Sequence, residues 1–312
     1  MLTNIATGLR RASIVVTVPW PIANRGVIRH TWPVTIDDAD PAIAPAGEVP
    51  AGEVLAGGLA NAGAVIRFGD VVERPAPANA AMVHGLFRAL RAAGLDCVPE
   101  PLGLGGGRER LTFVEGRVAL PPFPDWSTTD AVVASVGRLL RRFHDATRSL
   151  VLPSDAAWPS DLADPEGGEV WCHNDVCPEN VVFVGDRAAA LLDFDFAAPG
   201  RALWDVAQTA RYWAPILDPE SAAVSGRRHL DPAHRLRVLA DAYGLDSAER
   251  SDLVSVIWAA ERVARTFVAV RVDRGEPAFV ASWAEHGRWA RWDRKWSWLE
   301  ANGARLTAAL VG

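Results

Sequence analysis

Residues 170–196 constrain the fold of this chain more than any other stretch. The segment Val170-Trp171-Cys172-His173-Asn174-Asp175-Val176-Cys177-Pro178-Glu179-Asn180 sets Asp175 and Asn180 five positions apart around a proline, just ahead of an apolar run. A second acidic cluster, Asp193-Phe194-Asp195, starts thirteen residues after Asn180, at the end of another apolar run. Strands over Asn180 to Val184 and Ala189 to Leu192 would form a hairpin that returns the chain to its start. Asn180 and Asp193 would then meet at one end of that hairpin, beside Asp175.

Two carboxylates and an amide oxygen are hard oxygen ligands of the kind Mg²⁺ takes, with water and substrate phosphates completing its shell. Such a group suits phosphoryl transfer, where catalysis is chiefly positioning and charge neutralisation. Asp175 stands just outside the metal pair in sequence, placed to orient a substrate hydroxyl and accept its proton. The competing explanation is turn and cap chemistry, which also favours Asp and Asn.

Elsewhere the pattern changes along the chain. Residues 1–50 show no sustained periodicity and read as an N-terminal arm and linker, with Pro41, Pro45 and Pro50 near its end. Val65 to Phe68 and Val71 to Arg74 read as short strands around the turn Gly69-Asp70. Met82, Leu86, Leu90 and Ala93 recur at helical spacing, with Gly94 as a stop. Leu111 to Val114 reads as a strand, and Gly103 to Gly107 as a loop. Asp130 to Thr147 is an amphipathic helix with Val132, Val136, Leu139, Leu140 and Phe143 on one stripe. Helical patterns dominate from Trp204 onward. A small β-rich unit over 51–118 and a larger, mostly helical unit over 119–312 follow.

Composition narrows the chemistry. The chain carries a single lysine, Lys295, among 32 Lys and Arg residues. A phosphate loop with a lysine after its glycines is therefore excluded, because Lys295 sits in Asp293-Arg294-Lys295-Trp296. A net charge of −6 argues against a nucleic-acid partner. Three cysteines make no disulfide framework and fit a reducing, cytoplasmic setting. The early apolar run from Ala12 to Trp20 is too short to span a membrane. Cys172, His173 and Cys177 lack the spacing of a zinc site.

The segment His173-x-Asp175-x-x-x-x-Asn180 resembles the catalytic loop of the protein-kinase-like fold. With His-Asn-Asp there and Leu-Asp-Phe-Asp at the metal loop, the chain is similar to the aminoglycoside phosphotransferase branch, which also holds choline and homoserine kinases. Pro199 to Ala207, Leu139 to Asp145, Leu55 to Asn61 and Leu111 to Gly116 extend the likeness over about residues 53–210. The resemblance implies an α+β two-lobe fold and transfer of the γ-phosphoryl group of ATP or GTP to a small-molecule hydroxyl. Asp175 would be the catalytic base, and Asn180 and Asp193 would hold Mg²⁺. His173 and Asp205 would brace the loop, Gly57 and Gly58 would lie over the nucleotide, and the backbone at Val114 and Glu115 would receive its base. The role of Asp195 is not fixed by the resemblance.

One departure stands out. The family places a lysine on the third strand of the small lobe, paired with a helix glutamate. Here Arg74 holds the matching position and His84 or a neighbour lies on the helix face. Arginine binds phosphate bidentately and keeps its charge, although its planar head does not copy a lysine's point contact. The alternative is a nucleotide-binding pseudokinase or regulatory module. A protein kinase is disfavoured, since no Ala-Pro-Glu-like segment follows Asp193. For the acceptor, Trp289, Trp292 and Trp296 form either core or a stacking wall. Asp273, Glu276, Glu285 and Asp293 form either a solvated face or a contact for a polycationic antibiotic.

Overall fold

The computed structural model describes residues 13–16, 30–33, 52–55, 63–151 and 157–312. Two short strands come first, β1 (Ser13–Val16) and β2 (His30–Pro33). A small lobe follows: β3 (Glu53–Val54), β4 (Ile66–Phe68), β5 (Val71–Pro75), α1 (Ala80–Ala92), β6 (Pro101–Gly105) and β7 (Arg108–Thr112). The large lobe begins with α2 (Asp130–Thr147) and β8 (Leu150–Val151). Next come β9 (Val170–Cys172), β10 (Val181–Val184), β11 (Arg187–Leu191) and β12 (Ala198–Gly200). Six helices complete it: α3 (Ala202–Trp213), α4 (Pro219–Val224), α5 (Pro232–Tyr243), α6 (Ser247–Asp273), α7 (Pro277–Glu285) and α8 (Arg288–Val311).

The small-lobe sheet is antiparallel in the order β3-β4-β5-β7-β6. Gly69 takes φ 60° in the turn between β4 and β5, which is why the Gly69-Asp70 signal marks it. Gly103 to Gly107 is not a loop. Gly103 to Gly105 pair with β7 as a strand, and only Gly106 and Gly107, at φ 58° and 73°, make the turn. The glycines had masked an edge strand, a position where a missing side chain costs least. β1 pairs with both β2 and β8, so part of the N-terminal fifty residues joins a three-stranded sheet with the segment after α2. Of the expected nucleotide loop, Leu55 to Asn61, all but Leu55, Gly57 and Gly58 included, lies outside the described residues.

α2 forms over the residues its apolar stripe indicates. Thr129 caps it by accepting from the Val132 amide, and Val132, Val136, Leu140 and Phe143 are fully buried. Its other face packs closely on α5, where Gly137 lets the backbone of Leu239 approach to 3.0 Å of an added Cβ. The core is continuous between the lobes. Leu86 and Leu90 of α1, Phe143 of α2, Trp171 of β9, Phe183 of β10, Phe194 and Leu236 of α5 belong to one buried cluster. Full burial of each such side chain contributes roughly 1.5–3 kcal/mol. Phe194 is its pivot, packing edge-on against both Phe87 and Phe143 and 4.4 Å from the His173 ring. The segment from Asp193 to Asp195 is thereby fastened to the core through both α1 and α2.

Candidate active site

The loop between β9 and β10 is held from behind by one carboxylate. Asp205, in the first turn of α3, is fully buried and accepts from the amides of His173 at 2.7 Å and Asn174 at 2.8 Å. His144 of α2 adds a third contact at 3.0 Å through Nε2, and its Nδ1 meets the Tyr243 hydroxyl at 2.7 Å. Burial disfavours the Asp205 anion, but the His144 contact and the hydrogen bond from the His173 amide outweigh it, so its carboxyl stays below the usual range. His144 is thus a core histidine with a partner on each ring nitrogen.

His173 sits one layer closer to the cleft. Its Nε2 donates to the Leu192 carbonyl at 2.7 Å, and its Nδ1 accepts from the Asp175 amide at 3.2 Å. These partners assign the Nε2-protonated tautomer. Burial lowers its pKa, which keeps the ring neutral. His173 therefore ties the catalytic-type loop to the strand end that precedes Asp193. Asn174 contributes through backbone shape: it takes φ 67° and donates from Nδ2 to the Phe196 carbonyl at 2.9 Å. A left-handed residue other than glycine is costly and is retained where surrounding contacts dictate it.

Asp175 faces the cleft, partly exposed. Tyr212 of α3 donates to its Oδ1 at 2.9 Å, and Asn180 Nδ2 donates to its Oδ2 at 3.2 Å and its carbonyl at 3.0 Å. Burial pushes its pKa up to about 7 against the Tyr212 hydrogen bond, with Asp193 adding repulsion. The bond to Asp175 uses the nitrogen of the Asn180 amide, so its oxygen is the atom left to face a cation. The hairpin closes as expected. The Leu192 amide donates to the Asn180 carbonyl at 2.8 Å, which brings Asn180 beside Asp193. Asp193 takes φ 60°, a second strained non-glycine position at the same site.

The small lobe meets this loop through Arg74. Its Nη1 donates to Asp193, its Nη2 to Asp195 and its Nε to Glu109, each at 2.7 Å. Burial weakens the Asp193 anion, yet the Arg74 guanidinium outweighs it and holds that carboxyl below its usual range. Burial and the neighbouring Asp193 charge push Asp195 the other way, to about 7. Glu109 takes the place of the expected helix glutamate. It lies opposite Arg74 across the β5–β7 ladder, is 1% exposed, and receives His84 of α1 at 2.7 Å on its other oxygen. His84 therefore supports Glu109 rather than facing the cleft.

Glu109 and Tyr212 were missed in the sequence. The signal for Glu109 was present: it alternates with Leu111 on the buried face of its strand, where an unpaired carboxylate does not survive. For Tyr212, nothing short of the fold reveals that the last turn of α3 reaches Asp175. Glu115 lies past the end of β7 and pairs with Arg67 at 2.9 Å, leaving its backbone and that of Val114 at the junction between the lobes. The tryptophans near the C-terminus pack against other tryptophans, Trp283 tilted against Trp289 at 5.6 Å and Trp296 edge-on to Trp258 of α6 at 6.1 Å. Arg265 lies over Trp296 at 4.6 Å and pairs with Asp293 at 3.1 Å, while Glu276 pairs with Arg271 at 3.7 Å. Two of the four acidic residues considered for a polycationic acceptor are thus matched internally.

Residues 152–239 match the phosphotransferase enzyme family. The trifolitoxin immunity protein of Rhizobium leguminosarum bv. trifolii is 31% identical over 259 residues, spanning 79% of this chain and 95% of that protein. A homoserine kinase of Rhodopseudomonas palustris is 28% identical over 211 residues, 54% of this chain and 61% of that enzyme. Among solved structures, the choline/ethanolamine kinase family protein from Mesorhizobium loti aligns with a TM-score of 0.58 at 20% identity, over 86% of this chain and 96% of that one. The fold is that of the protein-kinase-like small-molecule phosphotransferases, with an α+β two-lobe layout. The chain belongs to the phosphotransferase enzyme family and is a small-molecule kinase acting on a hydroxyl.

Proposed function

We propose that this kinase moves the γ-phosphoryl group of ATP or GTP to a hydroxyl of a small molecule in the cytoplasm, with Asp175 as the catalytic base. The observation that carries the reading is the convergence of Asp175, Asn180 and Asp193 on a loop whose backbone is held by buried Asp205. The donor set fits Mg²⁺: the Asn180 amide oxygen and the Asp193 carboxylate are hard ligands, and Asp193 is kept ionised by Arg74. When bound, Mg²⁺ supplies charge neutralisation of the nucleotide phosphates.

The protein's own groups do the rest. Asp175, oriented by Tyr212 and Asn180, accepts the proton of the acceptor hydroxyl. The acceptor oxygen forms the new bond to phosphorus, the bond to the β-phosphate bridging oxygen breaks, and the nucleoside diphosphate leaves. Arg74 stands where the small lobe reaches the metal loop and serves the phosphates with its charge. The junction at Val114 and Glu115 receives the base, and Gly57 and Gly58 belong to the loop over the phosphates. Three free, buried cysteines fit a reducing compartment, and no described helix is long and apolar enough to cross a membrane.

One relative is named for immunity to trifolitoxin and another for phosphorylating homoserine, so an antibiotic and a metabolite are both candidate acceptors. The test is a mass-detected transfer screen with ATP and GTP against aminoglycosides, other hydroxylated antibiotics, amino alcohols and sugars. Asp175→Asn and Asp193→Asn should each abolish the transfer found; wild-type turnover in either would end the reading. A second reading, a nucleotide-binding pseudokinase, draws on Arg74, whose three ion pairs hold the side chain away from a phosphate. Stabilisation by magnesium nucleotide without transfer to any acceptor would favour it.

A further inference from the structure

The last turn of α3 holds the catalytic-type loop and the C-terminal helices at the same time. Its consecutive residues Arg211, Tyr212 and Trp213 reach different partners. Tyr212 donates its hydroxyl to Asp175 Oδ1 at 2.9 Å, and Trp213 donates from its indole nitrogen to the Val176 carbonyl at 2.8 Å. Arg211 turns away from the loop, donating from Nε to Glu261 of α6 at 2.7 Å and from Nη1 to Gln208 at 2.6 Å. Lys295 of α8 meets the same Glu261 oxygen at 2.6 Å, and all three charged residues are buried. The Arg211 guanidinium also lies 5.5 Å from the centre of the Tyr212 ring, within cation–π range.

Stability alone is a poor reason for this cluster. Two cations share one carboxylate, and apolar side chains of like volume commonly stabilise a core as well as a buried ion group does, or better. The second Glu261 oxygen is buried without a hydrogen bond among the described residues. What the cluster supplies is direction. The bonds to Glu261 and Gln208 fix the guanidinium plane at two points, and a planar fork held in this way keeps one orientation. Gln208 is held in turn, its Nε2 donating to the Leu162 carbonyl at 3.3 Å. Trp213 already ties the turn to the loop backbone, so the Tyr212 ring is the part left to be set. A planar cation on this frame limits where that ring can swing, and the hydroxyl at its far end magnifies any swing at Asp175.

We propose that Arg211 is a positioning residue for phosphoryl transfer: anchored by Glu261, it sets the Tyr212 ring so that the hydroxyl stays on Asp175 Oδ1. The inference rests on the proposed role of Asp175 for its effect on turnover, and on geometry alone for its effect on Tyr212. Lys295 reaches the cluster through Glu261 and not through α3. Arg211→Met and Lys295→Met therefore form a matched pair of variants. Each leaves Glu261 with one cation and keeps a balanced buried pair, and only the first strips the contact from Tyr212.

The chain has two tyrosines, Tyr212 and Tyr243, so the full chain labelled with 3-fluorotyrosine gives two fluorine resonances, assigned through Tyr212→Phe. Tyr243 is bonded to His144 and serves as the internal reference. Arg211→Met is expected to shift the Tyr212 resonance and leave that of Tyr243 in place, while Lys295→Met leaves both. Should Arg211→Met not fold, Glu261→Asp draws the carboxylate back by a methylene with every charge retained, and the same resonance should shift. With the acceptor found in the transfer screen, Arg211→Met should lower kcat about tenfold at unchanged nucleotide KM, as expected for loss of the Tyr212 hydrogen bond. In a Tyr212→Phe background the same change should add less than about twofold, because the contact it serves is already gone. A Tyr212 resonance unmoved in both Arg211→Met and Glu261→Asp would overturn the inference. An equal kcat loss in Lys295→Met, or one undiminished in the Tyr212→Phe background, would mark a merely structural role and overturn it too. A shifted Tyr212 resonance with no transfer from ATP or GTP to any acceptor would sink the phosphotransferase reading and leave the Arg211–Tyr212 contact standing.

Discussion

Arg74 and Asp193 lie 119 residues apart and meet at 2.7 Å, one on the small-lobe sheet and the other on the loop after β11. The same guanidinium holds Asp195 and the buried Glu109, so three carboxylates depend on one cation. Removing that cation leaves Glu109 with His84 alone.

Arg74→Ala should therefore act twice. Stripping the partner from a buried carboxylate costs about 3–5 kcal/mol, to be read from denaturant unfolding. Nucleotide KM should rise, or kcat fall, at least about tenfold. Arg74→Lys should recover stability only in part, because an ammonium does not span three carboxylates. Unchanged kinetics in Arg74→Ala would remove the residue from the mechanism.

Asp205→Ala should be among the most damaging single changes outside the cleft. It strands two buried amides and His144 at once, and the expected loss is about 3–5 kcal/mol. A loss below about 1 kcal/mol in chemical denaturation would show that the loop is braced by something else.

Tyr212→Phe isolates the orientation of Asp175. It deletes one hydroxyl and leaves the ring in place, so the fold and the nucleotide KM should be unchanged. The value of kcat should drop about tenfold, the worth of a hydrogen bond to a charged group. A change confined to nucleotide KM would place Tyr212 elsewhere in the mechanism.

Lys295 supplies a pH-dependent test of the large lobe. It is buried on α8 against Glu261 at 2.6 Å, and Glu261 also receives Arg211 at 2.7 Å. Burial lowers its pKa to about 8 from an unfolded value of 10.5, against the pull of Glu261. Between these values the unfolded chain holds the extra proton, so stability rises with pH across that window. Relative to Lys295→Met, the wild type should gain up to about 3 kcal/mol from pH 8 to 10.5, read by urea titrations at several pH values. A flat difference would mean that Lys295 stays charged in the fold.

The legible parts of this molecule were those written by local rules. The stripe of α2, the turn at Gly69 and the hairpin that returns Asn180 to Asp193 follow from spacing alone, and the structure contains each. The edge strand β6 was hidden because its glycines look like a loop and its order comes from pairing with β7. Glu109 and Tyr212 were hidden for a different reason. Their importance lies in what faces them, Arg74 across a ladder and Asp175 across 37 residues of chain.

The scarcity of lysine has a practical consequence for finding this enzyme. An acylating nucleotide probe marks a kinase by modifying a lysine that lies against the phosphates, since a lysine amine is a nucleophile once deprotonated. On the proposed reading Arg74 stands in that position, and the single lysine is enclosed between α6 and α8 with its ammonium bonded to Glu261. A guanidinium stays protonated and does not acylate under such conditions, so a probe of that kind would leave this protein unmarked.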